Sequence, residues 1–229
     1  MGKLLEITVQ KEALIYLEEY YKWRASGGRV WNKIEVRTRK KYGGKRADGL
    51  LVYKRRLIGG LFVASMEAKS YKTLGAITPI RDNWLWLKNS LYYATLIALG
   101  SGAVFMYQMI DNSLDSLLYI VGLWVFLLVV VAFVTKNRYF NRTMPVYKQI
   151  LQYPGHEQWI SISQDSYDLI PKHLRRDFVK VLKARGIGLL IVTKRKFVHR
   201  VHKPKRNRKW VGNFLQHYSL EEEIRKYLK

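Results

Sequence analysis

The chain has 229 residues and contains no cysteine. Disulfide bonds and cysteine-ligated zinc sites are therefore excluded, and the composition gives no sign of an oxidising compartment. The first residues also lack the continuous apolar stretch of a secretory signal peptide, so we do not expect a cleaved signal.

Acidic residues are scarce. The sequence has 17 Asp and Glu against 41 Lys and Arg, which gives a formal net charge of +24. A charge of this size repels itself unless a polyanion or an anionic surface offsets it. Nucleic acid and the anionic cytoplasmic lipid leaflet are both candidate partners, and one does not exclude the other.

One long segment lacks Lys, Arg and Glu altogether. It runs from Asn89 to Thr135 and divides into two apolar stretches, 89–110 and 114–135. Each has about the 20 residues that a helix needs to cross a bilayer. Small residues such as Gly100 and Gly102 allow close helix packing, and hence an oligomer formed through the hairpin. The alternative is a helical hairpin buried in a soluble core.

The flanks of this segment are basic, with Arg81 and Lys88 before it and Lys136 and Arg138 after it. The positive-inside rule then places both flanks in the cytoplasm. The sequence thus predicts an inner-membrane protein with two spans and cytoplasmic termini. Its parts would be the first half of a soluble domain (1–83), a transmembrane hairpin (84–140) and the second half (141–229).

Outside the hairpin, the pattern of apolar residues predicts an α/β domain with a mixed sheet flanked by helices, interrupted by the hairpin. We expect helices at Gln10–Ser26, Asp165–Arg185 and Leu220–Leu228. We expect strands at Arg29–Arg39, Gly49–Tyr53, Leu61–Lys69, Gly188–Thr193 and Phe197–His202.

Charged residues stand at the ends of two of these strands. Asp48 precedes the second strand, and Glu67 and Lys69 end the apolar third strand. Glu67 and Lys69 are two residues apart, so their side chains project from one face of the strand. Two carboxylates can hold a divalent cation, and a nearby lysine can stabilise charge that grows on a phosphate. Alternatively, Asp48 is a turn residue and the other two form an ordinary solvated strand end.

This arrangement resembles the PD-(D/E)xK superfamily of restriction-endonuclease-like nucleases. The match is carried by Asp48 in Ala47-Asp48-Gly49 and by the triplet Glu67-Ala68-Lys69, with a helix and strands in the family's order around them. Two features depart from the family pattern. No proline precedes Asp48, and a hairpin interrupts the chain between the third strand and the second helix.

The resemblance implies a role for each residue. Asp48, Glu67 and Lys69 would form the catalytic site of a phosphodiesterase. Asp48 and Glu67 would hold Mg²⁺ or Mn²⁺, while Lys69 would assist the attacking water. Glu18, on the first helix, would complete the metal shell.

A basic stretch, Lys194–Lys209, follows the fourth expected strand and includes the fifth. It is interpreted as tracking a nucleic-acid backbone or lying on anionic lipid, or as a solvated tail. The residues expected to contact nucleic acid are Lys45, Arg46, Lys194, Arg195, Lys196, Arg200, Lys203, Lys205 and Arg206.

These observations favour a membrane-anchored, metal-dependent nuclease that cleaves nucleic acid, with DNA as the expected substrate. The alternative is a non-catalytic membrane tether that binds nucleic acid or anionic lipid through its basic domain. A third hypothesis is an interaction or pore-forming membrane protein. Apart from Asp115, the apolar stretches carry no charged residue, which argues against an ion pathway.

Overall fold

The computed structural model describes residues 4–56, 60–108, 114–207 and 213–229. Side chains are not described for residues 102–117 and 119. The chain forms two compact units. Unit 1 comprises Met1–Thr78 and Met144–Lys229, and unit 2 comprises Pro79–Thr143.

Unit 1 is built on a mixed six-stranded sheet with the strand order β1-β2-β3-β6-β7-β8. β1, β2 and β3 are antiparallel neighbours, β3, β6 and β7 run parallel, and β8 returns antiparallel to β7. The strands span Ala25–Arg37 (β1), Arg46–Arg55 (β2), Leu61–Lys69 (β3), Glu157–Ser163 (β6), Gly188–Val192 (β7) and Val198–His202 (β8). Unit 2 contains the short pair β4 (Ile80–Arg81) and β5 (Arg142–Thr143).

Eight α-helices lie in the described residues. They span Glu6–Lys22 (α1), Leu74–Ile77 (α2), Asn83–Gln108 (α3), Leu114–Thr135 (α4), Pro145–Ile150 (α5), Gln164–Leu169 (α6), Lys172–Arg185 (α7) and Glu221–Tyr227 (α8). Short 3-10 turns occur at Lys40–Tyr42, Tyr71–Thr73, Tyr139–Asn141 and Phe214–His217.

Helix α1 covers one face of the sheet. Its buried residues recur at helical spacing and include Val9, Ala13, Leu17 and Tyr21. They form one core with sheet residues that include Leu51, Phe62, Ala64, Met66, Ala68 and Trp159. The opposite face carries a second core, in which Leu50, Val52 and Val63 pack against Phe214, Leu215, Tyr218 and Ile224 from the C-terminal segment.

In unit 2, helices α3 and α4 pack against each other. The indole Nε1 of Trp86 donates to the carbonyl oxygen of Ala132 at 2.9 Å, and the hydroxyls of Ser90 and Thr135 lie 3.3 Å apart. The ends of the unit meet in the β4–β5 pair, where Ile80 pairs with Thr143.

The prediction of two transmembrane spans is wrong. Within the described residues, no helix combines the length and the apolarity needed to cross a membrane. The same finding contradicts two further predictions: the transmembrane hairpin within the fold and the inner-membrane location with two spans.

The helices and strands of unit 1 follow the sequence prediction in part. Strand β3 has the predicted bounds, whereas α1 begins and ends four residues earlier than expected. The single helix expected at Asp165–Arg185 is two helices, because the chain is extended at Ile170 and Pro171. Strand β6 was not predicted as a strand, although it joins the two halves of the sheet.

Gly188 marks the tightest approach in the sheet. A Cβ atom at this position would lie 2.4 Å from Cε3 of Trp159 and 2.8 Å from Cδ of Pro204. Trp159 cannot easily move, because it is fully buried and its Nε1 donates to the Tyr21 hydroxyl at 2.8 Å.

We therefore expect Gly188→Ala to lower the free energy of unfolding by about 1–3 kcal/mol, the usual cost of overpacking a core. Urea denaturation measures this change. Gly75→Ala is the control, since nothing lies within 4 Å of its added Cβ. Equal stability of the two variants would contradict the expected role of Gly188.

Candidate active site

Asp48 and Glu67 lie opposite each other on adjacent strands. Gly49 of β2 pairs with Met66 of β3, so Asp48 and Glu67 follow next in the antiparallel register. A Cβ atom at Gly49 would lie 2.7 Å from Cε of Met66 and 3.3 Å from Cδ1 of Leu14, so this glycine lets α1 and β3 pack closely beside Asp48.

The site faces away from helix α1. Met66 and Ala68 belong to the core that packs against α1. Successive side chains of a strand point to opposite faces, so Glu67 and Lys69 project from the other face of the sheet. The sequence-predicted pairing of Glu67 and Lys69 on one face agrees with their contact in the structure.

The three predicted catalytic side chains are in contact and buried. The ammonium Nζ of Lys69 donates to Oε1 of Glu67 at 2.5 Å and lies 4.0 Å from Oδ2 of Asp48. The backbone N–H of Ala68 donates to the same Asp48 oxygen at 2.8 Å. Glu67 is 0% exposed, Lys69 5% and Asp48 8%. The interpretations of these residues as a turn residue and a solvated strand end are therefore excluded.

The second carboxylate oxygen of Glu67, Oε2, is buried and has no hydrogen-bond partner. A buried acceptor without a partner costs free energy, so native proteins have few of them. This oxygen and the nearby Asp48 carboxylate could together bind a cation or a proton.

The electrostatics of the carboxylates reflect burial and mutual repulsion. Burial, followed by the charge of Asp48, raises the pKa of Glu67 to about 8, although Lys69 acts in the opposite direction. Burial also raises the pKa of Asp48, against the lowering effects of the Ala68 N–H and Lys69. At neutral pH the folded protein therefore holds Glu67 mainly in its protonated form.

Sequence reasoning missed Tyr153, which is 2% exposed and lies near the carboxylates. Burial, followed by the charge of Glu67, raises the pKa of its phenol to about 12. Its backbone oxygen accepts a hydrogen bond from the Ser65 hydroxyl, two residues before Glu67. The adjacent Pro154-Gly155 indicated a turn, but no local pattern indicated that this turn would pack beside β3.

The predicted third carboxylate, Glu18, does not join the pair. Its Oε2 accepts a hydrogen bond at 2.7 Å from Asn32, which pairs with Leu51 on the face covered by α1. Within the described residues, no group of three or more His, Cys, Asp or Glu side chains could hold a metal ion. The three-carboxylate metal centre expected from sequence is therefore wrong, because Glu18 lies on the other face of the sheet.

Some of the predicted nucleic-acid contacts lie at the same end of the sheet as the site. Lys45 and Arg46 stand at the start of β2, just before Asp48. Lys194, Arg195 and Lys196 follow the end of β7, which is parallel to β3, so they lie at the end where Lys69 stands. Of these, Lys194 forms an ion pair with Asp165 at 3.2 Å and Lys196 one with Glu12 at 3.7 Å.

The remaining residues predicted to contact nucleic acid do not lie at the end of the sheet where Lys69 stands. Arg200 lies within β8, with its guanidinium 5.0 Å from the Tyr20 ring centre. Lys203, Lys205 and Arg206 follow β8 and therefore lie at the opposite end of the sheet. The last part of the basic stretch, 208–209, lies outside the described residues.

No family model, curated protein or solved structure matches this chain. The resemblance to restriction-endonuclease-like nucleases therefore stays a prediction, as do the nucleic-acid, lipid and homo-oligomer partners. A mixed sheet flanked by helices is a common architecture and does not identify an activity.

Proposed function

We propose that this protein hydrolyses phosphodiester bonds in nucleic acid, with DNA as the first substrate to test. One observation carries the proposal: a lysine ammonium lies 2.5 Å from one buried carboxylate and 4.0 Å from a second, at the ends of two central strands. Buried charges that emerge from a core are costly and concentrate at functional sites.

The pair can accommodate a hard divalent cation such as Mg²⁺ or Mn²⁺ through two protein carboxylates. The buried, unpartnered Oε2 of Glu67 beside Asp48 supports this fit. Mg²⁺ usually takes one or two carboxylates and keeps water or substrate phosphate as its remaining ligands, so a third carboxylate is not required. A bound cation would polarise the phosphodiester and make a bound water more acidic.

The side chains themselves supply further chemistry. The Lys69 ammonium can stabilise negative charge that grows on the phosphoryl oxygens, because it is held in a site with little water. Glu67, with its pKa of about 8, holds a proton at neutral pH, and a cation bound by its carboxylate would displace that proton. The Ala68 N–H fixes the Asp48 carboxylate beside them.

Basic residues around the site support a polyanionic substrate. Lys45 and Arg46 precede Asp48, and the turn after β7 adds Lys194 and Arg195 at the same end of the sheet. Arg46 is half exposed and its ion pair with Glu35 is 3.5 Å long. Such residues can contact backbone phosphates without reading sequence.

A cleavage assay tests the proposal. The protein would be incubated with linear DNA, circular DNA and RNA, in Mg²⁺, in Mn²⁺ or in EDTA. We expect cutting that depends on the divalent cation and is unchanged in Glu18→Gln, because Glu18 lies on the other face of the sheet.

The complete burial of Glu67 favours a second candidate, in which the cluster is structural and the basic surface only binds nucleic acid. That function predicts binding whose affinity falls steeply with salt, with no cleavage under any cation condition. Binding without cutting would overturn the nuclease proposal in favour of this one.

A further inference from the structure

A second group of polar residues lies at the opposite end of the sheet from Lys69. His156 directly precedes β6, and its backbone N–H donates to the carbonyl oxygen of Val63 at 2.8 Å. Val63 precedes Lys69 by six residues on β3, a separation of about 20 Å at the usual rise of a strand. Gly186, at the C-terminus of α7, lies at this same end because it precedes β7.

The chain segment after β8 crosses this end of the sheet. The backbone N–H of Lys205 donates to the carbonyl oxygen of Gly186, and that of Asn207 donates to the carbonyl oxygen of His156, both at 2.8 Å. Gly186 has φ +75°, and a Cβ atom there would lie 3.0 Å from Cβ of Lys205. Glycine thus permits the close approach, and the two hydrogen bonds fix the basic segment over the strand ends.

The segment lines an open cavity of about 400 Å³. Three cationic side chains line it, namely those of Arg185, Lys205 and Arg206, and the described residues that line it include no Asp or Glu. Gly155, Gln158 and Asn207 are among its neutral lining residues. The cavity is therefore strongly electropositive.

His156 lines this cavity and carries a buried ring N–H. It is 1% exposed, and its Nδ1 accepts a hydrogen bond at 3.0 Å from the backbone N–H of Val63. Burial, followed by the charges of Arg55 and Arg206, lowers the pKa of His156 to about 4, so the ring is neutral at physiological pH. Since Nδ1 accepts, the single ring proton is on Nε2, and that buried N–H has no hydrogen-bond partner.

An anion would satisfy this donor and would be attracted by the exposed side chains of Arg185 and Lys205. The nearest acidic residue along the chain, Glu157, is already engaged, because the Tyr21 hydroxyl donates to its carboxylate and Arg24 lies 3.9 Å away. Arginine and lysine side chains together with N–H donors are the groups that recognise phosphate.

We propose that the cavity lined by His156, Arg185, Lys205 and Arg206 is a phosphate-binding site, distinct from the candidate active site. The phosphate belongs either to a free phosphate monoester or to a nucleic-acid backbone. The proposal does not depend on the nuclease activity, because the pocket shares no residue with Asp48, Glu67 and Lys69.

Isothermal titration calorimetry of the full chain tests the site. The probes are inorganic phosphate, a 5′-mononucleotide, and a short DNA oligonucleotide without terminal phosphates. The test variant is Arg185→Ala/Lys205→Ala, in which both residues are exposed, so folding should be retained. The control is Arg176→Ala, which removes an exposed arginine from the same helix.

We expect the double variant to weaken binding by about tenfold or more, since each hydrogen bond to a charged group contributes substantially to affinity. The control should bind like the wild type. Loss confined to phosphate and the mononucleotide would identify a free phosphate monoester as the ligand, and loss confined to the oligonucleotide would identify a nucleic-acid backbone.

Two results would overturn the phosphate site: no binding of any probe by the wild type, or equal affinities for the double variant and Arg176→Ala. Neither result bears on cleavage, which is measured separately. Conversely, a protein that cuts no nucleic acid would still retain this site if the double variant alone lost phosphate binding.

Discussion

A Lys69→Met variant is expected to cleave nucleic acid on the order of 10²–10³-fold more slowly than the wild type, the usual loss when a charge-stabilising group is removed from an active site. Methionine preserves much of the side-chain length but carries no ammonium. Nothing then replaces the charge that Lys69 places 2.5 Å from Glu67 and 4.0 Å from Asp48. The single-turnover cleavage rate at saturating DNA is the measurement.

Two controls separate a catalytic loss from a folding defect. Lys72→Met removes an exposed lysine three residues further along the chain and should cut at the wild-type rate. DNA affinity and the circular dichroism spectrum of Lys69→Met should match the wild type, because Glu67 can become protonated when it loses its counter-charge. A Lys69→Met protein that cuts like Lys72→Met would remove Lys69 from the mechanism.

A Glu67→Gln variant is expected to be more stable than the wild type at pH 8, by an amount on the order of a few kcal/mol. The glutamine carbonyl oxygen can still accept from Lys69 but carries no charge. The wild-type protein, in contrast, must bury an ionised carboxylate beside Asp48 once the pH exceeds the Glu67 pKa.

The direction of the pH dependence follows from the raised pKa. An unperturbed Glu has a pKa of 4.5, whereas that of folded Glu67 is about 8. Between these values the folded state holds a proton that the unfolded state has lost, so the Glu67 contribution to stability falls as the pH rises. The free energy of unfolding changes by at most about 1.4 kcal/mol for each pH unit through this group. Below about pH 4.5 and above about pH 8, this contribution is constant.

Urea denaturation of both proteins from pH 4 to pH 9 gives the difference between their free energies of unfolding. Groups that titrate equally in both proteins cancel in this difference. The advantage of Glu67→Gln should grow from pH 4.5 to pH 8 and then level off. Glu222→Gln, an exposed glutamate on α8, should track the wild type throughout. A stability difference independent of pH would show that Glu67 does not titrate in this range.

The parts of the site that sequence could predict are those set by strand periodicity. Leu61–Lys69 is an almost continuous apolar stretch, and the structure gives β3 those bounds. Two-residue alternation along this strand placed Glu67 and Lys69 on one face. The meeting of Asp48 with them followed from the expected hairpin between β2 and β3.

Strand periodicity could not predict which face of the sheet helix α1 covers. Glu18 lies at the edge of the apolar stripe of α1, which made it the best third carboxylate. Which face of the sheet that stripe covers depends on long-range packing with Met66 and Ala68. The helix covers the face opposite to Glu67, and Glu18 bonds to Asn32 instead.

Strand β6 was missed because its sequence, Glu157–Ser163, mixes polar and apolar residues and follows Pro154 and Gly155. It lies between β3 and β7 and is buried on both faces, with Ser161 and Ser163 fully inside the protein. The prediction of membrane spans failed for a different reason: composition alone does not distinguish apolar helices that pack together from helices that cross a bilayer.

The pairing of Ile80 with Thr143 has a consequence for the architecture of the gene product. These residues at the two ends of unit 2 are paired neighbours, so the two chain crossings between the units lie side by side. All six strands of the large sheet and every residue of both proposed sites lie outside that loop of chain. Unit 2 is thus a single continuous insertion in unit 1. A change in its length would leave the strand order of the six-stranded sheet unchanged.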